Sequence, residues 1–112
     1  MIKFSNLNVG DVYNGFKVVS IDNLDSYNSE GILLVHEKSG MQVYHMLNED
    51  SENLFSFGFR TPAGDSTGVA HIIEHSVLCG SEKYPLKDPF KQLSNQSVKT
   101  FLNAMTFPDK TV

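Results

Sequence analysis

Gly31-Ile32-Leu33-Leu34-Val35-His36-Glu37, then Lys38-Ser39-Gly40, then Met41-Gln42-Val43-Tyr44-His45-Met46-Leu47 is the stretch that decides the fold class. Two runs rich in branched and aromatic residues flank a short polar link ending in glycine, which is the pattern of an antiparallel hairpin. Outward from it, Phe16-Lys17-Val18-Val19-Ser20-Ile21 reads as an earlier strand. Leu54-Phe55-Ser56-Phe57-Gly58-Phe59 alternates, with three phenylalanines on one face, and reads as a later one. These four segments are expected to form an antiparallel meander with helices on one face, an α+β layer.

The chain changes character after Phe59. His71-Ile72-Ile73-Glu74-His75 has the form H-x-x-E-H. On a helix, residues i and i+4 share a face and lie about 6 Å apart along the axis. Two imidazoles so placed can converge on one metal ion. Glu74 lies on the same side and can reach a water at that ion without being a ligand. Two histidines and a carboxylate are parts for metal-assisted hydrolysis. Two histidines on one helical face also occur as plain surface residues, and the five-residue pattern alone leaves both readings open.

The flanks supply the helix. Asp65, Ser66 or Thr67 is expected to cap its N-terminus, and Gly80 to stop it, giving a helix over about residues 67–79. Val69, Ile73 and Val77 recur at i, i+4, i+8, which predicts a buried stripe beside the histidine face. A Pro-marked loop over 84–89, a short helix at Pro89–Leu93 and an extended segment near Thr100–Thr106 are expected to follow.

Phe59-Arg60-Thr61-Pro62, Asp65-Ser66-Thr67-Gly68-Val69, the H-x-x-E-H and Ser76-Val77-Leu78-Cys79-Gly80-Ser81 together resemble the inverzincin (pitrilysin/insulysin) zinc metallopeptidases, in their presequence-protease and falcilysin-like branch. Lys83-Tyr84-Pro85, Asp88-Pro89-Phe90 and the run from Thr100 to Thr111 extend the likeness, which is dense from about residue 55 onward. Ala63 and Ala70 depart from it, standing where that branch often has proline. The resemblance implies that His71 and His75 are zinc ligands and that Glu74 is the general base acting on the attacking water. It implies that Asn103 and Ala104 belong to a sheet edge holding the backbone of an extended substrate, a mode that tolerates many sequences. The expected substrates are unfolded peptides, and the expected fold is the N-terminal part of a processing-peptidase-like metallohydrolase domain spanning residues 1–112.

The third ligand of such a site is a glutamate on a later helix. Glu82, Asp88 and Asp109 are the acidic residues left after His75, and none stands in the family's position. The arginine and tyrosine that such enzymes bring from their C-terminal half have no counterpart here either. The chain is therefore expected to be an incomplete piece whose partner is the remainder of the peptidase or a second half. It ends at Asp109-Lys110-Thr111-Val112, within what resembles a continuing strand. Alone, it is expected to be inactive, and a non-catalytic peptide-binding or partner-binding fragment is the alternative. A further alternative, an enzyme similar to S-ribosylhomocysteine lyase, is supported by the five-residue motif only.

Composition bounds these readings. With 112 residues there is room for one domain at most, and 40% hydrophobic content with eight Phe and four Tyr suffices for a core. The net charge is −4, from 9 basic and 13 acidic residues with no basic patch, which excludes nucleic acid as an expected partner. No apolar run approaches the roughly 18 residues of a membrane span. Lys3 and Lys17 stand among Asp11, Asp22, Asp25 and Glu30, unlike a secretory or Arg-rich leader, so a cytoplasmic location is expected. Cys79 is the one cysteine; it is expected to be a small buried thiol rather than a ligand. His36 and His45, on expected strands, are read as surface or edge residues.

Overall fold

The computed structural model describes residues 4, 6–96 and 101–112. The chain is α+β, and its described residues form a four-stranded antiparallel sheet and two α-helices. It divides into two compact units, Met1–Asn53 and Leu54–Val112.

The first unit is the sheet: β1 (Val12–Tyr13), β2 (Phe16–Leu24), β3 (Ser29–His36) and β4 (Gln42–Leu47), hydrogen-bonded in that order and all antiparallel. Each link has its own turn chemistry. Asn14 and Gly15 both have positive φ, 50° and 81°, as a two-residue primed hairpin turn requires. Asp25–Tyr27 forms one 3-10 turn, and Asn28 closes it at φ 47°, its N–H donating to the Asp25 carbonyl. Gly40, at φ 71°, ends the third link. Val18 pairs with Leu34 and Ser20 with Leu33, leaving Val19 as the extra residue of a bulge. Val18 is fully buried while Val19 is 43% exposed.

Ile32 and Val18 are the buried apolar centre of the described residues. Val18 faces Leu34, and Ile32 lies two residues from Leu34 on the same strand face. Ser29, also fully buried, satisfies its hydroxyl by donating to the Tyr27 carbonyl at 2.8 Å. On the other face the Tyr44 ring passes over Gly31 and its hydroxyl donates to Asp22 at 3.2 Å. A Cβ on Gly31 would sit 2.6 Å from the Tyr44 Cζ, so the glycine makes room for the ring.

The fourth strand of the sheet differs from the sequence expectation. Residues 54–58 form no strand, and the fourth strand of the sheet is β1, at the opposite edge, beside β2 rather than beside β4. Phe55, Phe57 and Phe59 do lie in succession, Phe55 edge-on to Phe57 at 4.8 Å between centroids and Phe57 stacked on Phe59 at 6.0 Å. Alternation therefore marked an extended face correctly. It could not name a partner, because the partner is some 50 residues away: β5 (Phe59–Arg60) pairs with β6 (Lys110–Thr111).

In the second unit, α1 covers Val69–Leu78, inside the expected 67–79. Its cap is Gly68, at φ 72°, with no side-chain hydrogen bond; none of Asp65, Ser66 or Thr67 caps it. Asp65 instead accepts from the Thr67 N–H at 3.0 Å and the Thr67 hydroxyl at 2.6 Å, a local turn that competes with capping. Gly80, at φ 139°, lies against the Leu86 carbonyl at a distance that would bring an added Cβ to 2.8 Å. The second helix, α2, spans Pro89–Gln96, longer than expected. Asp88 stands before Pro89 and accepts from the Lys91 N–H at 3.2 Å, so the helix begins with a carboxylate cap and a proline in its first position. The expected extended segment begins at Thr100, outside the described residues. Residues 101–105 follow without strand pairing, and the chain turns back at 107–110, Met105 and Val112 bonding each other in both directions at 2.9 Å.

The expected buried stripe is corrected. Val69, Ile73 and Val77 are 57%, 53% and 67% exposed. The one buried residue of α1 is Glu74, on the side turned toward Thr106. Periodicity predicts which face prefers burial, but burial also needs an element to lie on it, and no described element of this unit does.

Candidate active site

One turn of α1 brings His71 and His75 together. Their Nε2 atoms lie 3.1 Å apart, with ring centroids at 4.9 Å, and both side chains are open to solvent. In neutral rings one Nε2 carries the proton and the other accepts it; a cation between the two would take both lone pairs. Tetrahedral zinc with bonds of ~2.0–2.1 Å holds two nitrogens roughly 3.3 Å apart, so the pair needs only a small adjustment to chelate.

Glu74, between them in sequence, is 8% exposed. Its Oε2 accepts from the Thr106 hydroxyl at 2.7 Å. That hydroxyl lies 3.5 Å from the Thr111 hydroxyl, which is 2.8 Å from that of Thr61. This line of threonines was not found by sequence reasoning, since nothing in the spacing of residues 74 and 106 announces a contact.

A cleft of about 440 Å³ opens beside the motif, lined by Glu74, His75, Leu78 and Cys79 from α1 and by Asn103 and Ala104 from the segment before the C-terminal hairpin. Phe90 and Lys91 of α2 form its far wall. The proposed base, one proposed ligand and both expected substrate-binding residues thus share one surface; His71 reaches it through His75. Asn103 and Ala104 are not in a strand. The Ala104 N–H is taken locally by the Asn103 side chain at 3.0 Å, so no ladder edge forms there.

Cys79 is exposed, contrary to the buried thiol expected, because the C-terminal turn of α1 lies at the cleft. Its thiol donates to the His75 carbonyl at 3.1 Å. His36 bonds Ser39 at 2.7 Å and lies against Phe16, and His45 packs edge-on to Phe4; both belong to the sheet unit, as surface residues. Among the described residues no group of three or more His, Cys, Asp or Glu is disposed to hold a metal. Glu82, Asp88 and Asp109 do not join the histidine pair.

No family model matches the chain. It is 49% identical over 107 residues to Protein HypA of Clostridium perfringens (strain 13 / Type A), covering 96% of this chain and 11% of that protein. It is 52% identical over 97 residues to presequence protease 1, chloroplastic/mitochondrial, of Arabidopsis thaliana, covering 87% of this chain and 9% of that protein. To the mitochondrial presequence protease of Drosophila melanogaster it is 44% identical over 103 residues, 92% of this chain and 10% of that protein. The chain spans about a tenth of the length of the curated relatives it matches. Over that tenth two of these three relatives are named presequence protease.

Proposed function

We propose that this chain is the N-terminal part of the catalytic domain of a zinc-dependent endopeptidase of the inverzincin type, one that degrades unfolded peptides. The observation that carries the reading is the pair of Nε2 atoms 3.1 Å apart beside a nearly buried Glu74, on a cleft shared with Asn103 and Ala104. The likeness to presequence proteases supports it.

His71 and His75 are two of the ligands, and the third is a carboxylate from outside residues 1–112. Zinc bound there supplies Lewis acidity, lowering the pKa of a water and polarising the scissile carbonyl. Glu74 takes the proton from the attacking water and returns it to the nitrogen of the leaving amine. Asn103 and Ala104 border the path of the peptide; the Ala104 amide, bonded only within its own turn, is free to exchange that bond for a substrate carbonyl.

The test uses the complete polypeptide and a quenched, unstructured peptide. Glu74→Gln is expected to lower hydrolysis by at least about 100-fold with zinc retained, because the carboxylate acts on water. Loss of zinc in that variant would contradict the assigned role. A second reading is favoured by the two-ligand site of the described residues: binding of peptide or of a partner half without cleavage. Saturable peptide binding by the complete wild-type protein, without hydrolysis, would select it.

A further inference from the structure

We propose that Thr106 is the positioning residue of the general base, and that Thr61 and Thr111 set its hydroxyl. This rests on the assignment of Glu74 as the base. Among the described residues the Glu74 carboxylate takes one hydrogen bond, at Oε2, from the Thr106 hydroxyl at 2.7 Å. An ionised carboxylate only accepts, so the direction of the bond is fixed. A hydroxyl has one proton to give. With that proton committed to Glu74, the Thr106 oxygen can only accept from the Thr111 hydroxyl, 3.5 Å away, which is itself 2.8 Å from that of Thr61. The Thr106 bond to Glu74 has a fixed direction, and the Thr61–Thr111 pair beside it, in which either hydroxyl can donate, borders the Thr106 oxygen.

The backbone holds this line in place. Thr111 lies in β6, paired with Phe59 of β5, and Thr106 bridges to Thr111 across the hairpin. Threonine is stiff at χ1, so a hydroxyl on a paired strand has few directions to point. Glutamate, with three rotatable bonds, does not hold its own carboxylate. With Oε2 tethered, Oε1 is the oxygen left to take the proton of the attacking water. None of the three threonines lines the cleft.

Thr106→Val removes the donor while keeping the branched shape. In the complete peptidase it is expected to lower kcat roughly 10–100-fold, the scale of a misplaced catalytic group. KM, zinc content and the thermal midpoint should stay near wild type, and Thr106→Ser should restore most of kcat. Unchanged kcat in Thr106→Val would overturn the proposal. So would a parallel collapse of KM, zinc and stability, or failure of the serine to rescue. Should Thr106→Val not fold, Thr111→Val reads the same line one link further away: a several-fold loss of kcat supports it and wild-type kcat refutes it. Absence of cleavage by the wild-type protein would instead defeat the reading of Glu74 as a base, a distinguishable result.

Discussion

Glu74 is more than nine-tenths buried on a helix whose valines and isoleucines are exposed. A carboxylate placed so needs a partner, and the Thr106 hydroxyl is one. Tyr44 shows the same economy in the other unit. Its phenol is held above its ordinary value of 10.0, by desolvation first, then by the hydrogen bond to Asp22 and the charge of that carboxylate. The folded state thus favours the neutral phenol. The stabilisation is fully present below the unfolded pKa and is lost as pH rises through the higher folded one. Ultraviolet titration of the native chain against Tyr44→Phe is expected to show that the lost phenol ionises above pH 10; a lost phenol that ionised at or below 10 would refute it.

Much of the element scale was legible. The β3–β4 hairpin, the motif helix and the Pro-marked loop stand close to where turn chemistry and periodicity put them, because each is decided by neighbours in sequence. Asn14-Gly15 is a strong hairpin signal that was passed over; its flanking strand, β1, is only two residues long. Leu54–Phe59 and the Val69, Ile73, Val77 stripe failed for another reason. Their patterns specify a face, and what meets the face is not settled by neighbours in sequence. Thr106 was invisible on the same ground. Gly31 is the element-scale prediction: its missing Cβ admits the Tyr44 ring, so Gly31→Ala should cost about 1–3 kcal/mol and lower the thermal midpoint. Combining it with Tyr44→Ala should return part of that loss, and strict additivity of the two would contradict the contact.

At the scale of the whole molecule, the curated relatives are about ten times longer than this chain. Leu54, Phe55, Ile72 and Val77 are 87%, 78%, 61% and 67% exposed. Under the proposed reading these side chains are covered by the rest of the peptidase. The isolated 112-residue chain is therefore expected to bind an apolar dye such as ANS strongly and the complete protein weakly; equal binding would argue against it. The same reading makes zinc affinity a property of the longer polypeptide, since two imidazoles are one ligand short of a catalytic site. The motif was readable because i, i+4 spacing needs only a helix, whereas the third ligand that the proposed reading requires is not announced by any local pattern.

The most direct test is the zinc content of the complete peptidase and of its His71→Ala variant, measured by elemental analysis after dialysis. The account predicts close to one zinc per active site in the wild type and almost none in the variant. Stoichiometric zinc in His71→Ala would contradict it, for the histidine pair would then not be what holds the metal.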